Sequence, residues 1–510
     1  MGCLKITKIF LLIVMSPNPS RTKSYVIPLS LREWLVCIFA TLTLVFTAWS
    51  LGGYKTWALH LLFAGGLGTF LASVFPMPRS WNGYDQQHGN LKNFKRLLLQ
   101  PFFWAGLCFL VYILIQYFNP SVVQVFGEKS WWVERMRPPL GANLPSSVKA
   151  DYETMNALRT FVIQASAISL ACGILIGIQR RKSALIILWS FIISGVTMSF
   201  IAILQKLSGT DLILWFIECY NDNPWGTFAY RNQGVAYLIL ISLVSGMLYF
   251  FYLRRAYINL KQGGPHFLCF LFIFLLCGSI WLALSRGGII LGAILGFFFC
   301  LLAFGHHIKV ILKGGSLILS AIFFGLFIIG FIFLVQFSDW NTINKRVDHF
   351  EHIVTNIDSY DRTLSTKATW NMAQDSLTYG WGAGSFRYVF PIYQEEYDSI
   401  WYNYYYNKIR GWEGRKLYYY AHNDWVQFLA EYGIVGSVIL GTLFLSLIIG
   451  AYKIFQLSIS SGCLFLIGLI LIFIHNFVDF IFSSPSYWAA FWGSLFLVYK
   501  LFDLENENNT

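Results

Sequence analysis

Residues 267–304 read FLCFLFIFLLCGSIWLALSRGGIILGAILGFFFCLLAF, and Arg286 is the one charged residue among them. A helix of roughly 20 apolar residues crosses the hydrocarbon of a bilayer. This stretch holds two apolar runs, 267–285 and 288–304, meeting at Leu284-Ser285-Arg286-Gly287-Gly288. The pattern repeats outward from there. Apolar runs occupy about 33–51, 56–75, 98–118, 158–178, 183–204 and 233–253 on one side, and 315–335, 433–453, 462–482 and 485–501 on the other. Only 12% of the chain is charged, about half the share of a soluble domain. The expectation is an all-α polytopic membrane protein with about twelve transmembrane helices.

The net charge of +12 invites a nucleic-acid reading, which its placement excludes. Basic connectors (Arg79 with Lys92, Lys95 and Arg96; Arg180-Arg181-Lys182; Arg254-Arg255 with Lys261; Lys309 with Lys313) fall in every second loop. The surplus lies in these inner segments, whereas the outer ones are close to balance, as the positive-inside rule expects. On this reading residues 1–32 are a cytoplasmic tail, 33–335 carry helices one to nine, and 336–432 form one large outer loop. Residues 433–501 carry the last three helices and 502–510 a second cytoplasmic tail. A loop as long as 336–432 is expected to hold structure of its own or to do the work.

Within that loop, a helix is predicted from near Asp361 through Trp370, Ala373 and Leu377, ending at Gly380-Trp381-Gly382-Ala383-Gly384. A second follows His422. Asp424 and Gln427 have capping-box spacing, and Trp425, Phe428, Leu429 and Tyr432 make one apolar face before Gly433 ends or bends the helix. His422 is thereby expected at a helix entrance.

Several residues are candidates for chemistry. Arg286 sits at a break between apolar runs, where a charge points to an anionic partner; the plainer alternative is an arginine snorkelling to the interface. Arg231, just outside the sixth run, is by position an ordinary interfacial arginine. Together with Arg286 it would offer two planar forks suited to a diphosphate. An imidazole's unperturbed pKa lies near neutrality, as a general base requires, which makes His422 the candidate for proton transfer; otherwise it merely assists the helix start, with Asn423 and Asp424 beside it. His475 and Asp479 share a helical face within the eleventh run and read as a polar pair lining a cavity. Tyr402, Tyr404, Tyr405, Tyr406 and Tyr418-Tyr419-Tyr420 are either an interfacial belt or rings that stack on sugars. His349, Glu351 and His352 match no strong zinc pattern, and no phosphate-binding loop supports nucleotide use, so no metal or cofactor is expected.

In this order the pieces resemble the O-antigen ligase and O-antigen polymerase superfamily, the group sharing the Wzy-C domain. The resemblance is carried by Gly226-Thr227-Phe228…Arg231-Asn232, Leu284-Ser285-Arg286-Gly287, Gly380-Trp381-Gly382-Ala383-Gly384-Ser385-Phe386, Ala421-His422-Asn423-Asp424…Leu429-Ala430-Glu431-Tyr432-Gly433 and His475…Asp479-Phe480, over roughly 200–485. It implies a fold of the membrane glycosyltransferase C class, in the bacterial inner (cytoplasmic) membrane, with 336–432 as a periplasmic catalytic loop. It further implies transfer of a glycan, with inversion and without metal or ATP, from undecaprenyl diphosphate to an acceptor hydroxyl such as that of lipid A-core. Arg231 and Arg286 would hold the diphosphate and His422 would take the acceptor proton; Asn423, Asp424, His475 and Asp479 would support them. A polymerase and a protein O-oligosaccharyltransferase share these motifs. A transporter is the reading from another class, but the repeat symmetry it calls for is not evident.

Overall fold

The computed structural model describes residues 30–75, 90–128, 130–219, 221, 224–258, 264–312, 325, 336, 357–402 and 416–506. Helices dominate. In chain order they are α1 (Leu31–Thr47), α2 (Thr56–Val74), α3 (Asn90–Leu98), α4 (Pro101–Phe118), α5 (Ala157–Gly177), α6 (Arg181–Leu207), α7 (Arg231–Ile258), α8 (His266–Leu282) and α9 (Arg286–Leu312). Then follow α10 (Asp361–Asp375), α11 (Phe386–Gln394), α12 (Asp398–Trp401), α13 (Asp424–Leu457), α14 (Ile459–Val478) and α15 (Pro485–Asn506). Among the described residues, eight helices are long and apolar enough to cross a membrane by length and composition: α2, α4, α5, α6, α7, α9, α13 and α14. Helices α1, α8 and α15 fall on three further expected runs. The run expected at 315–335 and the tail expected at 1–32 lie almost wholly outside the described residues, as do His349, Glu351, His352 and Tyr404 to Tyr406.

The bundle is built around α7, whose side chains from Asn232 to Phe251 are all buried. Helix α15 packs beside it, with Trp488 and Trp492 fully enclosed. A helix apolar on every face is a core or membrane helix rather than a surface one. Peripheral helices show the complementary pattern: on α13, Ile434, Val438, Leu445, Ile448, Ile449 and Tyr452 are exposed, an apolar stripe suited to lipid.

One feature departs from the expectation and a second extends it. The first is a small three-stranded sheet in the 119–157 segment, which the all-α reading missed. Strand β1 (Pro120–Phe126) pairs antiparallel with β2 (Trp131–Arg135), Val123 opposite Glu134, and parallel with β3 (Ser147–Lys149), in the order β2-β1-β3. Its valines and tryptophans are strand formers. The second is a separate apolar core, outside the bundle, in which Val122 and Val148 of the sheet meet Ala368 and Met372 of α10 and Phe386, Val389 and Phe390 of α11. Sheet, α10 and α11 thus form a cap on one end of the bundle.

Cap and bundle are joined at the glycine-rich turn 380–384. Trp381 N–H donates to Ala430 O at 2.8 Å and Gly382 N–H to Glu431 O at 2.8 Å. The buried Glu431 carboxylate accepts from Gly384 N and Phe386 N, each at 3.2 Å. Gly433 has φ 63° and breaks α13, as expected. A Cβ there would stand 2.4 Å from Thr378 O, and one at Gly380 would stand 2.4 Å from Glu431 O. The two glycines therefore let the strands of chain cross at backbone contact.

Candidate active site

Four helix ends meet beneath the cap: the N-termini of α7, α9 and α13 and the C-terminus of α14. The break between α8 and α9 is as tight as the sequence suggested, with Leu284 at φ 53°. Ser285 Oγ donates to Asn232 Oδ1 at 2.7 Å, fixing the start of α9 against the start of α7. Gly288 permits this approach, because a Cβ there would lie 2.2 Å from Val235 Cγ1. Arg286 and Arg231 are consequently the first residues of two neighbouring helices.

Asp479 is the hub. It is buried and accepts from Tyr230 Oη at 3.1 Å, from Asn232 Nδ2, from Arg362 Nη1 at 3.4 Å and from the backbone N–H of Phe480 at 3.0 Å. Arg362 also donates to Val478 O at 2.7 Å. His422 Nδ1 faces Asp479 Oδ1 at 3.8 Å, beyond hydrogen-bond length, and this buried nitrogen has no hydrogen-bond partner among the described residues. The ring itself remains partly exposed, so Nε2, across the ring from Nδ1, is the nitrogen left to meet a substrate.

Charge sets the protonation states. Burial raises the pKa of Asp479, but the Arg362 guanidinium and then His422 outweigh it and hold the carboxyl well below the usual range. For Arg362, burial is the largest single influence and lowers the pKa, but Asp479 together with Tyr230 and Tyr360 outweighs it, so the pKa is raised. Burial is the largest influence on His422, and with the Arg362 charge it lowers the pKa against the pull of the Asp479 carboxylate. The imidazole is therefore neutral near neutral pH, as a general base must be.

His422 has φ 57°, a left-handed conformation uncommon for a residue with a Cβ. The neighbouring peptides hold it there. Ala421 N–H donates to Gln427 Oε1 at 3.0 Å, Ser365 Oγ donates to Ala421 O at 3.1 Å, and Asn423 Oδ1 accepts from Val426 N at 3.2 Å. The capping expectation is thereby corrected: Asn423, not Asp424, is the N-cap of α13. Asp424 instead accepts from Phe482 N at 2.8 Å and ties α13 to the turn after α14. His475 and Asp479 are likewise not hydrogen-bonded to each other; α14 ends at Val478, and His475 lies buried beside Gly287 of α9.

Arg231 and Arg286 are half-buried, and among the described residues neither guanidinium makes a hydrogen bond or ion pair. Arg231 is within electrostatic reach of Arg286, Arg362 and Asp479. The aromatic crowd is partly resolved as packing. Phe480 is stacked between Tyr230 (4.6 Å between centroids) and Tyr420 (5.0 Å), and meets the His422 ring at 4.7 Å. The structure thus brings Arg231, Arg286, His422, Asn423, Asp424, His475 and Asp479 to one end of the bundle. Sequence reasoning missed Arg362 and Tyr230. Tyr230 adjoins a candidate arginine, and Arg362 follows the Asp361 already read as a helix start. Among the described residues no three His, Cys, Asp or Glu side chains group to hold a metal ion.

Residues 270–441 match the family model described as O-antigen ligase, Wzy_C. This supports the O-antigen ligase superfamily for the chain, over a narrower span than the motifs cover; Arg231 and Asp479 lie outside it. The family is one of glycosyltransferase-like enzymes acting in general on lipid-linked polysaccharides. With the apolar helices it makes the chain a multi-pass membrane protein. No curated protein sequence matches the chain.

Proposed function

We propose that this chain is an O-antigen ligase-like glycosyltransferase of the bacterial inner membrane. It moves a glycan from undecaprenyl diphosphate to an acceptor hydroxyl, that of lipid A-core, on the periplasmic side, in a twelve-helix frame with 336–432 as the catalytic loop. The observation that carries this is the pair of arginines, at two helix N-termini, whose guanidinium groups make no hydrogen bond or ion pair among the described residues. Such ends already favour anions and disfavour cations, so two arginines there make a site that a diphosphate would complete.

In this reading the acceptor O–H gives its proton to His422 Nε2 while the oxygen attacks the anomeric carbon. The bond from that carbon to the diphosphate oxygen breaks, and its electron pair leaves with the diphosphate. Direct displacement inverts the anomeric centre. The leaving group gains charge, which Arg231 and Arg286 stabilise in a site shielded from water. Asp479 stabilises the imidazolium that forms, and Arg362 keeps Asp479 ionised. No metal or cofactor takes part, and the polyprenyl tail lies along the bundle among membrane lipids.

The surface-glycan profile of a strain lacking the gene, with its pool of lipid-linked glycan, tests the assignment. Long polymer stranded on the carrier with uncapped lipid A-core is the expected result. Core capped by a single repeat unit would instead mean a polymerase. Unchanged pools would point to protein acceptors or transport.

A further inference from the structure

Beside the site, the cap carries a second concave surface. Thr366, Lys367, Trp370 and Asn371 of α10, Tyr397 at the start of α12 and Val426 in the first turn of α13 line a cavity of about 390 Å³. That volume lies within the range of small-ligand sites, roughly 300–1,000 Å³. Trp370 is 45% exposed, so its ring faces open space rather than core.

Position relates the cavity to the chemistry. Arg362, Thr366 and Trp370 repeat every four residues, so they lie along one stripe of α10. Arg362 touches Asp479, and Thr366 stands about 6 Å further along the helix axis. Val426 is four residues after His422 and is fixed by the Asn423 cap. The cavity therefore begins about one helical turn along α10 from Arg362, and Val426 ties it to the same helix entrance that carries His422.

Its lining selects the ligand. Two aromatic rings offer flat apolar faces with a polar tip on Tyr397, and Asn371 and Thr366 supply an amide and a hydroxyl that both donate and accept. Among the described residues no carboxylate lines the cavity. The one cation among its described lining residues, Lys367, is paired with Asp358 at 2.9 Å. Rings, amide and hydroxyl without net charge suit a neutral polyhydroxylated ligand better than an anion or a metal ion. We infer that this cavity is a saccharide subsite, holding a sugar ring of one substrate beside the transfer centre. The inference rests on the glycosyl-transfer reading.

Sugars of the donor and of the acceptor share this chemistry, and the test separates them. The full-length protein in lipid nanodiscs is titrated with two lipid-free probes, acceptor-core oligosaccharide and repeat-unit oligosaccharide, followed by saturation-transfer NMR. Transfer kinetics are measured on the same preparation. Trp370→Ala is expected to abolish the NMR contacts of one probe and to raise the KM of the corresponding substrate about tenfold, with kcat nearly unchanged. Asn371→Ala, which removes no large ring, is expected to act in the same direction and covers the case of a Trp370→Ala variant that does not fold. Unaltered probe contacts and KM for both substrates in folded variants would overturn the subsite. Absence of transfer by the wild type would count against the glycosyltransferase reading, while the probe contacts would still report on the cavity.

Discussion

The two ends of the bundle solve the same problem in opposite ways. At one end, the N-terminus of α6 is filled from within. The buried Glu33 carboxylate accepts from the backbone N–H groups of Gln179 (3.2 Å) and Arg180 (2.9 Å) and from Ser183 Oγ (2.6 Å). Arg180 approaches the same carboxylate at 3.6 Å, and Arg181 pairs with Glu505 of α15. At the other end, the N-termini of α7 and α9 carry Arg231 and Arg286; among the described residues neither makes an ion pair or hydrogen bond, and Asp479, which Arg231 feels at a distance, is already held by Arg362. A helix start that holds an internal anion is finished as a fold. One that holds arginines is, on the proposed function, finished by an anion from outside. On that reading the difference separates charges that stabilise from charges that bind.

The sharpest way to break this comparison is to remove the groups at the open end. His422→Ala is expected to lower transfer about 10²–10⁴-fold with the folded state intact. Arg286→Ala is expected to lower it about 10²–10³-fold, and Arg286→Lys to restore little, since an ammonium lacks the fork. Single-turnover transfer in nanodiscs reads both, and wild-type rates in the Lys variant would sink the diphosphate assignment. Asp479→Asn comes next, with a loss of roughly 10- to 10³-fold in rate. It also has a pH signature. On the proposed mechanism neutral His422 carries the reaction, so the rate is expected to fall as pH drops through its pKa, which burial has placed below the ordinary value of about 6.5. Losing the carboxylate removes what raises that pKa, so the acid limb of the profile should move to lower pH. An acid limb that stays put would show that His422 does not titrate against Asp479.

At the closed end the expected effects are on stability. Glu33→Ala leaves backbone donors of α6 unsatisfied and is expected to cost about 1–3 kcal/mol, seen as an earlier thermal transition, while transfer per folded molecule is unchanged. Arg181→Ala removes a half-exposed partner and should cost within about 1 kcal/mol. A loss of transfer without loss of stability in Glu33→Ala would erase the contrast between the two ends.

Much of this was legible in the chain. The apolar runs placed the helices because a membrane helix must bury about 20 residues in hydrocarbon, a local property. The breaks at Ser285-Arg286 and Gly433 showed for the same reason: charge and glycine interrupt helices where they stand. The sequence singled out the candidate residues but not their relations. Asn423 as the cap, Asp424 as a tie to Phe482 N, and Asp479 as the hub all depend on contacts between segments far apart in sequence. The sheet at 120–149 escaped because strands this short carry little periodic signal.

By itself, then, the sequence determined a polytopic helical protein with arginines and a histidine at the interruptions of its apolar runs. Both follow from what each residue does to its own few neighbours. Only the tertiary structure decided that Arg362 holds Asp479 ionised, that Asp479 faces His422, and that Trp370 and Tyr397 frame a cavity further along the helix that carries Arg362. Charge interactions and cavities are properties of distance in space, and distance along the chain does not encode them.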